Sequence, residues 1–244
     1  MSSEAPSPRC VAAFDFDGTL LSGDSLLPFL RRAAGWAGLG RAAIRASWQL
    51  ALLPLGGVHR DRAKAALLAA SLAGRSAETV RQIAEEYSGE LSRRLRADTR
   101  RCLEWHLAEG HEVVLVSASP SLYLEPLAQQ LGIHHTIATE LAEVDGRLTG
   151  RIVGVNVRGP HKARLIADWL GDVPRFLYAY GDSAGDRELL AKADHAVWVA
   201  RGVVGLPTER PTPPGQRRLS RRKRHRRPLH HHERGHRSRG HPEE

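Results

Sequence analysis

Two short segments near the start of the chain contain residues that could perform chemistry. Residues 15–18 (Asp-Phe-Asp-Gly) place two carboxylates around one aromatic residue, directly after an apolar run. A carboxylate can act as a nucleophile, as a general acid or base, or as a ligand for a hard cation. Residues 23–26 (Gly-Asp-Ser-Leu) match the signature of a class of serine esterases. The two segments predict different reactions, and the rest of the chain must decide between them.

Four further polar residues stand where predicted strands end or predicted helices begin. Ser117 lies in the run VLVSAS, Lys162 lies near the start of a predicted helix, and Asp182 and Asp186 follow the run LYAY. In an open parallel sheet the carboxyl ends of the strands meet at one edge, together with helix N-termini. Acids, a hydroxyl and an ammonium gathered there can hold a divalent cation and a phosphate side by side. The sequence therefore predicts such a site at this edge.

The elements that must bring these residues together follow an α/β pattern. Residues 10–16 predict a buried strand, whereas from Leu26 to about Ala108 apolar residues recur at helical spacing. From Glu112 onward predicted strands and helices alternate, with one hairpin around Asp145. Such alternation predicts a doubly wound, Rossmann-like parallel sheet covered on both faces. We expect an α/β core in residues 9–21 and 109–205, and an α-helical cap in residues 22–108.

Most of the positive charge of the chain lies in its C-terminal segment. Residues 206–244 contain 12 of the 36 lysines and arginines but only 4 of the 27 acids, so this tail carries nearly all of the net charge of +9. Its Pro, Arg, His and Gly residues offer too little apolar surface to offset the entropy of ordering, which predicts disorder. Because no aromatic residue is interleaved for base stacking, no specific nucleic-acid partner is expected.

The cysteines and the apolar runs indicate a cytoplasmic protein. The only two cysteines, Cys10 and Cys102, lack metal-ligand spacing, which favours a reducing compartment. Residues 1–9 have no signal-peptide core, and no run approaches the ~18 apolar residues of a membrane-spanning helix.

One segment of the predicted cap leaves a membrane-surface role open. Residues 25–60 contain no acid, and Arg31, Arg32, Arg41 and Arg45 stand among Leu, Ala, Ile and Trp. Basic residues beside an apolar surface are typical of helices that lie on anionic lipid. The other interpretation is that these apolar residues form the core of the cap.

The ordered motifs resemble those of the haloacid dehalogenase superfamily of phosphatases. The matching residues are DFDGT at 15–19, the serine of VLVSAS, the downstream Lys162, and GDSAGD at 181–186. The resemblance covers roughly residues 9–200, and the helical insertion resembles the cap of subfamily IB, which is phosphoserine-phosphatase-like. It implies a phosphatase that uses Mg²⁺ to hydrolyse a small phosphomonoester, with a phosphoserine-like substrate or a phospholipid head group as candidates.

The resemblance also implies a role for each acid of the first motif. Asp15 would attack phosphorus and form an aspartyl-phosphate, and Asp17 would protonate the leaving oxygen and later activate water. Mg²⁺ would be held by Asp15, by the backbone carbonyl of Asp17 and by Asp182, which would reduce the repulsion between carboxylate and phosphate.

The remaining motif residues would bind phosphate or orient other groups. Ser117 would donate a hydrogen bond to a phosphoryl oxygen, and Lys162 would balance the charge of the transition state. Asp186 would orient Lys162 or a metal-bound water from the second shell. Gly18 and Thr19 would shape a turn whose backbone N–H groups face the phosphate.

Two positions depart from the pattern of the phosphoserine branch. The acid nine residues after the nucleophile, which in that branch helps to bind the substrate amine, is Asp24 here rather than Glu. Gly185 stands where the last motif usually has Asn.

Two other functions are possible from the sequence. A serine esterase would need an Asp-x-x-His pair, and no histidine has an aspartate three residues before it. A protein that binds a phosphorylated ligand without turnover is the other alternative.

Overall fold

The computed structural model describes residues 9–51, 59–172, 175–199 and 203–207. Within these residues strands and helices follow one another in the predicted order. They are β1 (Arg9–Phe14), α1 (Leu26–Ala51), α2 (His59–Leu72), α3 (Ala77–Arg93), α4 (Ala97–Ala108), β2 (Glu112–Pro120), α5 (Ser121–Gln130), β3 (His135–Thr139), β4 (Leu141–Val144), β5 (Arg147–Ile152), α6 (Pro160–Leu170), β6 (Arg175–Gly181), α7 (Arg187–Lys192) and β7 (His195–Trp198).

Five of the strands form one parallel sheet in the order β3-β2-β1-β6-β7. The first strand therefore lies at the centre, between the strand that contains Ser117 and the strand that precedes Asp182. The strand order changes direction around β1, which is the topological switch point where open α/β sheets bind ligands. The predicted doubly wound, Rossmann-like α/β fold is confirmed.

The two faces of the sheet bury two separate hydrophobic clusters. On β1, Ala12 and Phe14 belong to the cluster that contains residues of α1–α5. Val11 and Ala13, which point to the opposite face, belong to the cluster that contains Ile166 of α6. Consecutive residues of a strand face opposite sides, and here both sides are apolar because helices cover both.

The described residues between Leu26 and Ala108 are mostly helical, as predicted. Helix α1 is kinked at Gly35, where the backbone has φ +69°. Helix α4 packs on the sheet. The ring centroid of its His106 lies 5.8 Å from that of Phe14 in β1. The Nε2 atom of His106 also shares a hydrogen bond of 2.8 Å with the hydroxyl of Tyr180 in β6. The division into a core and a cap of residues 22–108 stays a prediction, and the contacts of α4 favour a cap that ends before this helix.

The predicted hairpin around residue 145 is confirmed as the antiparallel pair β4–β5. It packs against α2 so closely that a Cβ on Gly150 would lie 2.4 Å from the Cα of Ala69. Of the predicted disordered tail, residues 208–244 lie outside the described residues. Among the described helices, none combines the length and the apolar composition needed to cross a bilayer.

Candidate functional site

The first and last motifs meet because β1 and β6 are neighbouring parallel strands. The backbone N–H of Asp15 donates to the carbonyl of Tyr180 at 3.0 Å, which continues the pairing of the two strands to the point where both end. Gly18 then turns the chain with φ +83°, and a Cβ at this position would lie 2.1 Å from Oδ2 of Asp182. Glycine is required at residue 18 both for the left-handed backbone and for the close approach of this carboxylate.

Lys162 reaches this edge from the first turn of α6 and lies between two carboxylates. Its side chain is 2% exposed, and its Nζ donates to Oδ1 of Asp15 at 2.6 Å and to Oδ1 of Asp186 at 2.5 Å. Burial alone would lower the pKa of Lys162, but the two carboxylates outweigh it and raise the pKa above its ordinary value. A buried lysine of this kind is a fixed positive charge.

The two acids that contact Lys162 respond differently to their surroundings. Burial raises the pKa of Asp15 to about 7, although Lys162 opposes the shift. The pKa of Asp186 is lowered, because Lys162 and hydrogen bonds from Ser183 outweigh the effect of burial. Ser183 donates both its N–H, at 3.0 Å, and its hydroxyl, at 2.7 Å, to Oδ2 of Asp186. At neutral pH Asp186 is therefore a fixed anion, whereas Asp15 titrates.

Three acids lie close enough to share one cation. Asp15, Asp182 and Asp186 each offer a carboxylate oxygen, and these oxygens lie within 4.8 Å of one another. Within the described part of the chain, the buried Oδ1 of Asp182 has no hydrogen-bond partner. An unpartnered buried carboxylate oxygen beside two further acids fits a hard divalent cation such as Mg²⁺. Asp186, predicted in the second shell, thus belongs to the same cluster, and the predicted use of the Asp17 carbonyl stays a prediction.

The carboxylate of Asp17 is turned toward a group of hydroxyls. Ser25 donates its N–H to Oδ1 at 2.8 Å and its hydroxyl to Oδ2 at 3.0 Å, and Ser119 donates to Oδ2 at 2.5 Å. Ser25 in turn contacts the hydroxyl of the fully buried Tyr123 at 2.8 Å. Burial raises the pKa of Asp17 to about 6 even though the hydrogen bonds of Ser119 and Ser25 lower it. A carboxyl group with this pKa can exchange a proton near neutral pH.

A cavity of about 110 Å³ opens between these groups. It brings together five predicted site residues, which come from all four motifs: Asp15, Asp17, Ser117, Lys162 and Asp186. Its remaining lining residues are Ala118, Val157, Arg158, Ser183 and Gly185. Ser117 is 2% exposed. The cavity is large enough for a phosphoryl group surrounded by three carboxylates, two hydroxyls and two cations.

Thr19, predicted to contact the phosphate, instead contacts Asp15. Its fully buried hydroxyl donates to Oδ2 of Asp15 at 3.3 Å, and it does not line the cavity. The backbone N–H groups of Gly18 and Thr19 donate to the carbonyls of Leu21 and Phe16, at 2.8 and 3.1 Å. The prediction that these two N–H groups face the phosphate is wrong, because the turn itself uses them.

Several residues around the site were not predicted from the sequence. Ser119 stands two residues after Ser117, so the alternation of a strand could have placed it on the same side. Lys64 of α2 donates to the carbonyl of Ala118 and, at 2.5 Å, to Oδ1 of Asn156, which ties the helical insertion to the sheet edge. Burial lowers the pKa of Lys64 to about 8. No sequence signal identifies Lys64, since its partners are distant in the chain.

Comparison with known proteins identifies the family. The sequence model of haloacid dehalogenase-like hydrolases matches residues 12–191. Protein CicA of Caulobacter vibrioides is 33% identical over 207 residues, which cover 80% of this chain and 87% of CicA. Phosphoserine phosphatase SerB1 of Mycobacterium tuberculosis is 31% identical over 76% of this chain and 63% of its own length. A crystal structure of a protein of unknown function from Bordetella pertussis Tohama I superposes with a TM-score of 0.65 at 27% identity, over 89% of this chain and 96% of that one. Because the family model matches most of the chain and CicA is similar along most of its length, this chain belongs to the haloacid dehalogenase-like hydrolases.

Proposed function

We propose that this protein is a Mg²⁺-dependent phosphatase that hydrolyses a small phosphomonoester through an aspartyl-phosphate on Asp15. The observation that carries the proposal is the buried contact of Lys162 with Asp15 and Asp186, beside the unpartnered oxygen of Asp182. A nucleophilic carboxylate needs positive charge nearby before a phosphate dianion can approach it. Lys162 supplies one such charge, and the acid cluster can hold a second.

The chemistry divides into two displacements at phosphorus. In the first, an oxygen of Asp15 forms a bond to phosphorus, the bond to the leaving oxygen breaks, and Asp17 donates its proton to that oxygen. In the second, Asp17 takes a proton from water, the water oxygen bonds to phosphorus, and the bond to Asp15 breaks to release inorganic phosphate. Both residues return to their starting protonation states.

The surroundings of the two acids suit these roles. Lys162 contacts Oδ1 of Asp15 and Thr19 contacts Oδ2, so the carboxylate is oriented through both oxygens. Asp17 is oriented by Ser25 and Ser119 through both of its oxygens. A group with a pKa of about 6 can both lose and regain a proton in one cycle near neutral pH.

The cluster of Asp15, Asp182 and Asp186 would hold the metal ion. When bound, Mg²⁺ would neutralise part of the charge of the phosphoryl group and lower the pKa of Asp15. We assign Mg²⁺ because the cluster offers only carboxylate oxygens, which hard cations prefer.

For the substrate we propose a small phosphomonoester, with a phosphoserine-like compound as one candidate. The name of the relative SerB1 supports this candidate. Asp24, which would be expected to contact a substrate amine, instead accepts the N–H of Leu27 at 2.9 Å and caps α1. We therefore extend the proposal to phosphomonoesters without an amine.

The proposal is tested with a panel of phosphomonoesters, phosphoserine and p-nitrophenyl phosphate among them, with and without Mg²⁺. We expect metal-dependent release of phosphate by the wild type and none by Asp15→Asn. Turnover that survives this substitution would refute the mechanism. Binding of inorganic phosphate without turnover of any ester would instead support the non-catalytic alternative.

A second candidate function, a phosphatase for a phospholipid head group at the membrane surface, is favoured by the surface of α1. Trp36 is 73% exposed and Ile44, eight residues and about two turns later, is 62% exposed. The guanidinium of Arg31 lies 5.0 Å from the ring centroid of Trp36, while Arg32 pairs with Glu90. An exposed tryptophan beside arginines is typical of a helix that lies on anionic lipid.

This second candidate is tested by co-sedimentation of the full chain with phosphatidylserine–phosphatidylcholine vesicles. We expect the double variant Trp36→Ala/Ile44→Ala to bind the vesicles more weakly, because it lacks the two large apolar side chains that would insert into the bilayer. The basic tail is unchanged in this variant, so vesicle binding equal to that of the wild type would assign the binding to the tail and remove the role of α1.

A further inference from the structure

One cation that lines the cavity, Arg158, takes no part in the two displacements at phosphorus. Arg158 lies in the loop between β5 and α6, four residues before Lys162, and its half-buried side chain lines the same cavity as Asp15 and Ser117. Its backbone N–H donates to the carbonyl of Asn156 at 2.8 Å. Within the described part of the chain its guanidinium has no hydrogen bond and no ion pair. Arginine in such a position is free to bind an anion.

The side chain of Arg158 is held in this place by the loop of the last motif. The N–H of Gly159 donates to the carbonyl of Gly185 at 2.9 Å, which joins the two loops. A Cβ on Gly185 would lie 3.0 Å from Cγ and 3.1 Å from Nε of Arg158. The arginine therefore lies directly over the glycine, and the missing side chain at residue 185 provides the space that it occupies.

The charges of the site leave Arg158 without a carboxylate of its own. The fixed anion Asp186 and the titrating Asp15 both contact Lys162. The positive charge of Arg158 contributes to the lowered pKa of Lys64, so a second cation lies near it on the side of the helical insertion. A phosphate dianion in the cavity would be the nearest partner for the guanidinium. Arginine suits this ligand, because its planar group of donors matches two phosphate oxygens.

We propose that Arg158 binds the phosphoryl group of the substrate, and that Gly185 acts as a positioning residue by leaving room for it. The inference rests on the proposed function for the identity of the reaction but not for the ligand, since inorganic phosphate carries the same charge and shape. Neither residue is assigned a role in forming or breaking a bond.

The variants Arg158→Ala, Arg158→Lys, Gly185→Ala and Arg158→Ala/Gly185→Ala test the inference. The readouts are kcat/KM with p-nitrophenyl phosphate and Mg²⁺, and inhibition by inorganic phosphate. Arg158→Ala removes hydrogen bonds between a charged donor and a charged acceptor, which are stronger than neutral ones. The variant should therefore lower kcat/KM, and raise the inhibition constant of phosphate, by about 10- to 100-fold. Arg158→Lys keeps the charge and should recover part of the loss.

Gly185→Ala probes the space rather than the charge. The added Cβ must displace the arginine by a few tenths of an ångström, and the backbone of Gly185 does not have a positive φ, so the variant should fold. We expect a several-fold weaker inhibition by phosphate, and no further loss when Arg158→Ala is already present. If the fold-changes of Arg158→Ala and Gly185→Ala multiply to that of the double variant within about twofold, the two residues act independently. This result would overturn the positioning role of Gly185.

Matched controls separate the site from general effects on charge and packing. Arg164→Ala removes an exposed arginine from α6, and Gly89→Ala adds a Cβ in α3 where no atom lies within 4 Å. Both should retain the wild-type inhibition constant. Thermal melts identify any variant whose loss comes from unfolding, and for such a variant Arg158→Lys decides.

Failure of this inference can be told apart from failure of the proposed function. If the wild type turns over and Arg158→Ala matches it in both readouts, the inference is wrong and the function stands. If no ester is hydrolysed, calorimetric titration with inorganic phosphate and Mg²⁺ replaces kinetics. Phosphate binding that is lost in Arg158→Ala then supports the inference alone, and a wild type that binds no phosphate refutes both.

Discussion

The variant Asp15→Asn should abolish turnover and at the same time stabilise the metal-free protein. Burial raises the pKa of Asp15 from 3.8 to about 7. Between these values the folded state holds a proton that the unfolded state has lost, so the free energy of unfolding decreases as pH rises. A shift of about three units corresponds to about 4 kcal/mol. Because asparagine resembles the protonated acid, the variant should be more stable than the wild type by up to about 4 kcal/mol at pH 8, and by little at pH 4.

The assay is urea unfolding in EDTA at pH values from 4 to 8, for the wild type and the variant. Asp168→Asn, an exposed position on α6, controls for the loss of one negative charge. Added Mg²⁺ should stabilise the wild type but not Asp15→Asn, since ligand binding to the folded state raises its stability. The reasoning would be refuted if the difference in stability between the variant and the wild type were constant across the pH range, or if the wild type were the more stable protein at pH 8 in EDTA. Either result would show that ionisation of the buried Asp15 does not destabilise the folded state.

Three further predictions concern the groups around Asp15. Lys162→Met leaves two buried carboxylates without their cation, and should cost about 3–5 kcal/mol in urea unfolding and about 100- to 1000-fold in kcat. Gly18→Ala puts a Cβ 2.1 Å from a carboxylate oxygen of the acid cluster, at a residue with φ +83°. Titration of turnover with Mg²⁺ should therefore show a weaker metal affinity. Gly23→Ala is the control, because residue 23 also has a positive φ, of +107°, but open space around it; its metal affinity should be unchanged. Ser119→Ala removes a hydrogen bond that lowers the pKa of Asp17, so the alkaline fall of kcat/KM, where this acid loses its proton, should move to higher pH.

The sheet could be predicted from the sequence because its strands have a clear signature. The central strand is apolar on both faces, and only a sheet covered by helices on both sides buries such a strand. Strand ends were less accurate: the prediction of residues 10–16 extends past Phe14, because Phe16 continues the apolar run although the chain has already begun the turn. The packing of α4 on the sheet was not predicted, since an apolar helix face does not reveal which partner covers it.

The motif residues of the site could be predicted for a topological reason. Asp15 and Asp182 directly follow β1 and β6, and Ser117 lies in the last part of β2. These three strands are neighbours in the sheet, so the positions of the residues in the sequence fix their positions at its edge. Arg158 could not be found in this way, because it lies in an irregular loop and is positioned by the space above Gly185. The wrong prediction for the N–H groups of Thr19 and Gly18 has the same origin, since the internal bonds of a tight turn depend on its conformation.

Ser25 illustrates why a motif must be interpreted through its contacts. A nucleophilic serine needs a base to take its proton, and the described partners of its hydroxyl are Asp17, Ser119 and Tyr123, with no histidine among them. The fully buried hydroxyl instead donates to Asp17, and its backbone N–H donates to the same carboxylate. Both donors stabilise the ionised form of Asp17, and burial opposes them, which leaves the pKa at about 6. The esterase-like segment therefore serves the acid of the first motif: with Ser119 it opposes the effect of burial on the pKa of Asp17, while the proposed attack on phosphorus is made by Asp15.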